Sequence, residues 1–450
     1  MLTQAEAIKG LGGIGKTQLA VEYAYRVRLQ NCYTHTLWIN AVNEETILSS
    51  FAALTEQLPF IASQEEKDQR KRATAIIHWL EQCQHSWLLI FDNADDVSLV
   101  QQYFPHQGNG SLLLTTHVHA VAALASPLEV ELMGVMEGTH FLLHRTQRLD
   151  TTDEEIDEAT NVVVALDGFP LALDLAGAYI GETGCSFGNY LRLYQNHRHA
   201  LLARRGGQDT QYLDSVATTW SLSFQKIEQA HPAAADLLRL CAFLAPDQIP
   251  EALLREGVAH WPPVLREAVA DRLVFNQMLE DLLKFALIKR LVKKHMLSLH
   301  RLVQMVQRER MDQEEQQYWA RCVIYRVNAV FPRDPRDEIA IWSQCQQYLE
   351  QVQVCDLMIR QYELRFFEAA DVLHRAAIYL CEQALYTLAE PLFQQALSIW
   401  EHLLGPEHFQ VAEPLSELAE LYRRQHHYAE AEALLQRVLN IQEQQLGPHH

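Results

Sequence analysis

The chain has 450 residues, 48% hydrophobic and 21% charged, an ordinary globular balance over more length than one core usually covers, so about three domains are expected. Acids outnumber bases 57 to 37, and the formal net charge of −20 argues against a nucleic-acid coat or a membrane-surface role. The first residues lack the basic-then-apolar pattern of a signal peptide, and the apolar-leaning stretch 161–181 is interrupted by Asp167, Pro170 and Asp174. The eight cysteines are scattered without a CxxC pair, so the expectation is a cytoplasmic protein with reduced core thiols, no membrane span and no zinc site.

In chain order, Ala5 to Ile8 reads as a short strand running into Gly10-Leu-Gly-Gly-Ile-Gly-Lys16-Thr17, the G-x-x-x-x-G-K-[ST] spacing of a phosphate-binding loop. Gly10, Gly12, Gly13, Ile14 and Gly15 can wrap with their N–H groups turned toward an anion, and the helix starting near Lys16 adds its positive end, with Gln18 in its first turn. Lys16 supplies a charge for the β- and γ-phosphates of ADP or ATP, and the Thr17 hydroxyl a ligand for Mg²⁺. Leu19, Ala20, Tyr23 and Ala24 place an apolar stripe on that helix. The alternative is a glycine-rich turn that binds nothing.

Residues 34–42 form a second strand candidate, followed by two helical stretches. The run "WLLIFDNADD" (87–96) is a buried parallel strand ending in Asp92, placed at the carboxyl edge of the sheet to hold the hydration shell of Mg²⁺. "GSLLLTTH" (110–117) is a further strand, and "PLEVEL" (127–132) closes a parallel sheet covered on both faces. Thr152 and Glu155 form a capping box, Gly168 stops the helix it opens, and Pro170 starts the next. Residues 215–305 are mainly helical, and "FALIKRLVKKHMLSLH" is a hairpin turning at Lys293-Lys294. Lys284, Lys289, Arg290, Lys293 and Lys294 form a basic cluster. DNA contact there is set against a solvated turn, which the overall charge favours.

The order of the glycine loop, Leu-Leu-Ile-Phe-Asp92, Leu-Leu-Thr-Thr116 and Gly168-Phe-Pro170-Leu resembles the NB-ARC group of STAND NTPases over roughly residues 5 to 305. The resemblance implies a multidomain α/β plus α architecture: a P-loop domain (1–133), a helical domain (134–205) and a winged helix (206–308). Linking helices (309–370) and an α-solenoid (371–450) would follow. It implies a nucleotide switch in signalling or defence, in which ADP locks a closed monomer and ATP permits opening and self-association. It also implies that Pro170 lies against the adenine, where the residues alone favour a plain helix–helix corner. His300, in Leu299-His300-Arg301, aligns with the family's Met-His-Asp motif and would reach the ADP β-phosphate; the bland alternative is a core histidine.

Two departures bear on hydrolysis. His117 stands where the family has a γ-phosphate-sensing arginine, and Asn93 follows Asp92 where a second acid is usual. Asp95 could replace that acid only if its loop bends back. The resemblance with these departures reads as at most a slow ATPase, with Lys16 and Asp92 the catalytic candidates. A turnover ATPase and a nucleotide-gated transcription regulator are the rival functions.

Tyr386-Thr-Leu-Ala-Glu-Pro-Leu392 recurs as Tyr428-Ala-Glu-Ala-Glu-Ala-Leu434, 42 residues on (428 − 386), with small residues at Ala377 and Ala419. This resembles tetratricopeptide repeats, with His426 where those repeats favour glycine, and implies a concave surface for a protein or peptide partner. The array stops inside a repeat, which suggests a fragment lacking an effector domain.

Overall fold

The computed structural model describes residues 4–58, 68–118, 125–148, 151–205, 211–246, 248–255, 259–336 and 339–446. Residues 447–450, at the end of the second repeat copy, lie outside the described residues.

The N-terminal unit alternates β1 (Gln4–Lys9), α1 (Lys16–Leu29), β2 (His35–Asn40), α2 (Glu44–Gln57), α3 (Gln69–Gln82), β3 (Trp87–Asp92), α4 (Val97–Gln101), β4 (Gly110–Thr116) and β5 (Ser126–Glu129). All five strands are parallel, in the order β2-β3-β4-β1-β5, which puts β1 and β3 on either side of β4. Every residue of β3 is buried, as a strand covered on both faces requires. One face, carrying Leu37, Ile39, Leu89, Phe91, Leu112 and Leu114, joins the main core with α2 and α3. The other, carrying Ile8, Leu88, Ile90 and Leu113, packs on α1 through Ala20, Ala24 and Val27. The stripe on α1 is therefore rotated from the expected one: Ala20, Ala24 and Val27 sit at i, i+4 and i+7 toward the sheet, while Leu19 and Tyr23 lie one position round the helix and are exposed. The last strand starts at Ser126 and ends at Glu129 rather than running to 132, and all four of its residues are exposed at the sheet edge.

A helical unit follows: α5 (Val135–Arg145), α6 (Asp153–Ala165), α7 (Pro170–Thr183) and α8 (Phe187–Arg205). The predicted capping box is present, with the Thr152 hydroxyl accepting from the Glu155 N–H and the Glu155 carboxylate accepting from the Thr152 N–H. Thr152→Ala should lower stability by about 1 kcal/mol in a denaturant titration, whereas a midpoint unchanged from wild type would show that the cap does not matter. Gly168 carries φ +64°, and a Cβ there would lie 2.2 Å from the Met133 carbonyl oxygen, so only glycine fits between α6 and α7.

The middle of the chain holds α9 (Gln211–Ala230), α10 (Pro232–Cys241), β6 (Ile249–Pro250), α11 (Glu251–Arg255), α12 (Pro263–Ala270), α13 (Arg272–Lys284), β7 (Lys289–Leu291), β8 (Met296–Ser298) and α14 (Arg301–Glu309). The hairpin β7–β8 turns through Val292–Lys294, as expected, and pairs with β6 in the antiparallel order β6-β8-β7. Its basic residues are partly committed: Arg290 binds the buried Glu251 through two hydrogen bonds of 2.7 and 2.9 Å, and Lys284 faces Asp281.

Two linking helices, α15 (Gln313–Val330) and α16 (Ile339–Gln361), lead to two helical hairpins, α17 (Phe367–Glu382) with α18 (Tyr386–Leu404) and α19 (Ala412–Arg424) with α20 (Tyr428–Leu446). α18 and α20 both begin on the tyrosines of the 42-residue repeat. Ala384 (φ +58°) and His426 (φ +64°) hold the same left-handed turn in the two copies, which accounts for the family's preference for glycine there. The guanidinium of Arg375 on α17 binds the carbonyls of Asn328, Phe331 and Pro332 at the end of α15, fixing the first hairpin to the linking helices.

The linking and repeat helices also reach back to the sheet unit. Gln346 donates to Ser49, Asn43 donates to Gln353, Asn40 donates to Glu350, and Arg70 donates to Thr387. Within this seam Glu45 of α2 is buried, and burial together with the Glu350 carboxylate pushes its carboxyl up to about 8. Four of the eight cysteines are buried, but Cys32 is exposed, so the expectation of core thiols fails at that position. Among the described residues no helix is long and apolar enough to cross a membrane.

Candidate functional site

The glycine loop joins the carboxyl end of β1 to the N-terminus of α1, so the first-turn N–H groups of α1 open onto the loop. Nothing stands within 4 Å of where a Cβ would lie on Gly12 or Gly15, so the loop keeps clear space above its backbone. Lys16 reaches over the loop and donates to the carbonyls of Gly10 (2.7 Å) and Leu11 (2.9 Å). Burial lowers its pKa, and the carboxylates of Asp95 and Asp92 oppose that shift.

β3 lies two strands from β1, yet its last residue meets the loop. The Thr17 hydroxyl donates to Asp92 Oδ1 at 2.9 Å, and the Thr115 hydroxyl donates to the same oxygen at 2.5 Å. An oxygen pair from a hydroxyl and a carboxylate suits a hard cation such as Mg²⁺, which favours oxygen ligands and brings its own water. The loop, Lys16, Thr17 and Asp92 therefore fit a metal-bound nucleoside phosphate. Gln18, one residue on, lies in the first turn of α1.

After Asp92 the chain does bend back. Asn93 adopts φ +59°, its N–H donates to the Thr115 hydroxyl, and the Ala94 N–H donates to the Thr115 carbonyl. Asp95 is thereby carried to the end of β4, where its Oδ1 accepts from the Thr116 hydroxyl (3.0 Å) and the His117 N–H (3.0 Å) and lies 2.8 Å from His117 Nδ1. Thr115 was not singled out from the sequence, and Asp95 and His117 were noted there separately but not as a pair. The tandem threonines at the strand end were the available signal, because alternation sends one hydroxyl to each face of the sheet.

Two remote segments cover the loop. A methyl placed on Gly13 would lie 3.0 Å from both Leu302 Cδ1 and Phe169 Cζ, and 3.2 Å from Leu171 Cδ2. The starts of α7 and α14 thus pack on the loop, and they bring Pro170 and His300 with them. Pro170 occupies the first position of α7, where its missing N–H costs nothing. His300 is the N-cap of α14, its Nδ1 accepting from the Leu302 N–H at 3.2 Å. Burial, then the positive charges of Lys289, Arg301 and Lys16, lower its pKa to about 4. At neutral pH the ring is uncharged, and with Nδ1 accepting, the proton sits on Nε2. The structure thus assigns His300 a capping role that the sequence reading lacked, and leaves Nε2–H as its donor.

Parts of the chain match known domains. Residues 3–144 match the NB-ARC domain, residues 368–444 match the tetratricopeptide repeat, and residues 225–316 match a domain of unknown function (DUF7779). The chain is 27% identical over 435 residues to a nucleotide-binding leucine-rich repeat (NLR)-like protein of Hyaloscypha variabilis, covering 90% of this chain and 42% of that one. It is 25% identical over 251 residues to the regulatory protein AfsR of Streptomyces griseus, covering 52% of this chain and 24% of that one. The chain therefore spans less than half the length of these curated relatives. A crystal structure of a Signal Transduction ATPase with Numerous Domains (STAND) protein with a tetratricopeptide repeat sensor from Pyrococcus horikoshii shares the fold at a TM-score of 0.50 and 14% identity, covering 98% of this chain and 63% of that one. The chain accordingly carries an NB-ARC domain, with a P-loop sheet, joined through helical units to a C-terminal tetratricopeptide region.

Proposed function

We propose that the chain is a signalling switch in which bound ADP holds a closed state, and exchange for ATP permits opening and self-association. The carrying observation is the meeting of three segments far apart in sequence, the loop around Gly13, the start of α7 at Phe169–Leu171, and the start of α14 at His300–Leu302. A nucleotide held by Lys16 and Thr17, with Mg²⁺ at Thr17 and Asp92, would sit where all three converge. In this reading Pro170 lies against the adenine, and His300 donates from Nε2 to the β-phosphate. Gly10, Gly12, Gly13, Ile14, Gly15 and Gln18 shape the phosphate cradle, and Thr116 holds the strand end beside it.

The same reading divides the chain into a P-loop domain (1–133), a helical domain (134–205), a winged helix (206–308), linking helices (309–370) and tetratricopeptide repeats (371–450). The repeats would sense a protein or peptide partner, and a cavity of about 190 Å³ between α17 and α19, walled by Cys381, Glu382, Glu417 and Arg424, is a candidate contact. A role in defence is consistent with the NLR-like relative.

Chromatography of the small molecules released on denaturing the purified protein should recover ADP in near-stoichiometric amount. Protein that carries no nucleotide and takes up none from added ADP would refute the switch.

A further inference from the structure

We infer that His117, oriented by Asp95, is the general base for hydrolysis of the bound nucleotide, in place of the acid missing at Asn93. This rests on the nucleotide-binding reading above and adds a catalytic residue to that site.

The placement comes from the sheet. β4 lies between β1 and β3, and Thr116 is in register with Lys9, so His117 emerges beside Gly10, the first residue of the phosphate loop. On its other flank β3 delivers Asp92. Asp95 influences the Lys16 ammonium more strongly than Asp92 does, which puts the Asp95–His117 pair within charge range of the lysine that grips the phosphates.

The chemistry comes from the hydrogen bonds. Three donors meet Asp95 Oδ1: the Thr116 hydroxyl, the His117 backbone N–H and the His117 Nδ1. An ionised carboxylate has no proton to give, so Nδ1 must carry the hydrogen of that contact. In the neutral ring this leaves the lone pair on Nε2, and the imidazole is exposed to water. A carboxylate that fixes the Nδ1–H tautomer and frees Nε2 as a base is the arrangement of a hydrolytic dyad. His300 has the opposite tautomer, with Nδ1 accepting, so the two histidines have complementary roles, one donating and one accepting.

In the step assigned here, a water oxygen forms a bond to the terminal phosphorus of a nucleoside triphosphate. Its proton passes to His117 Nε2. The bond from that phosphorus to the bridging oxygen breaks, the electron pair stays on the bridging oxygen, and the diphosphate and inorganic phosphate are the products. The proton on Nε2 then returns to solvent. Asp95 is a positioning residue: it sets the tautomer and ring orientation.

The test uses the full chain with ATP. His117→Gln should lower kcat about 100-fold, the lower end of what a general base supplies, with the ATP KM and the ADP affinity unchanged. Free imidazole should restore part of the rate in His117→Ala. Asp95→Asn should slow turnover comparably, Asp95→Glu should recover part of it, and the double variant should be no slower than the slower single. Independently of turnover, ¹⁵N spectra of the nucleotide-free protein, assigned by difference against His117→Gln, should show Nδ1–H in wild type and its loss in Asp95→Asn. An Nε2–H tautomer, a His117→Gln rate equal to wild type, or nucleotide-bound wild type that does not hydrolyse at all would each overturn the assignment. Failure to bind nucleotide would strike the switch reading instead, and the spectra would still decide whether the dyad exists.

Discussion

Lys16→Ala should leave the protein folded and unable to retain nucleotide. The ammonium donates to the Gly10 and Leu11 carbonyls, so it spans the mouth of the loop, and its helix-start position aims it at any anion held there. Two hydrogen bonds to phosphate oxygens, at about 1.5–3 kcal/mol each for a charged partner, correspond to a loss of roughly 10²- to 10⁴-fold in affinity. Lys16 is half-buried against the loop and is not part of the apolar core, so its removal exposes no core and the melting temperature should scarcely change. Equilibrium dialysis with labelled ADP measures the loss, and an alanine variant that keeps wild-type occupancy would remove the loop as the binding site.

The second large effect concerns His300. Its ring caps α14 through Nδ1, so His300→Ala removes two things at once: a cap worth about 1 kcal/mol and the Nε2–H donor. Asparagine at the same position is also a good N-cap, so His300→Asn keeps the cap and is too short to replace the donor. If Nε2–H holds the β-phosphate, both variants should release ADP faster by roughly ten- to a hundredfold, the equivalent of about 1.5–3 kcal/mol. Only His300→Ala should melt at lower temperature. Both should expand in small-angle scattering when ADP is exchanged for ATP. An unchanged ADP off-rate in His300→Asn, beside a destabilised His300→Ala, would reduce the residue to its capping role.

The parts of this site that could be read from the sequence are those set by short-range rules. The glycine spacing, the apolar run ending in Asp92, the Thr152–Glu155 cap and the hairpin turning at Lys293-Lys294 each depend on neighbours within a few residues. What could not be read depends on which segments meet. That Thr115 rather than Thr116 bonds Asp92 follows from the pairing of β3 with β4 and from the alternation of the strand. That Asp95 reaches His117 depends on Asn93 taking a left-handed conformation, which is available to asparagine but not dictated by it. The rotation of α1, burying Ala20 and Val27 while Leu19 and Tyr23 face out, is set by the small cluster on that side of the sheet. Hydrophobicity alone would bury Leu19 ahead of Ala20.

The buried carboxyl of Glu45 couples the seam between the sheet unit and the linking helices to protons. With the seam formed it faces Glu350 and shares its surroundings with Tyr379, and it holds a proton up to about pH 8. Parting the seam would return it to water, where its ordinary value is 4.5. Below pH 4.5 both arrangements are protonated and the seam closes at full strength. As pH rises from 4.5 toward 8, closure is progressively weakened, and above 8 the penalty is constant. At neutral pH, parting this seam would therefore release close to one proton, and re-forming it would take one back.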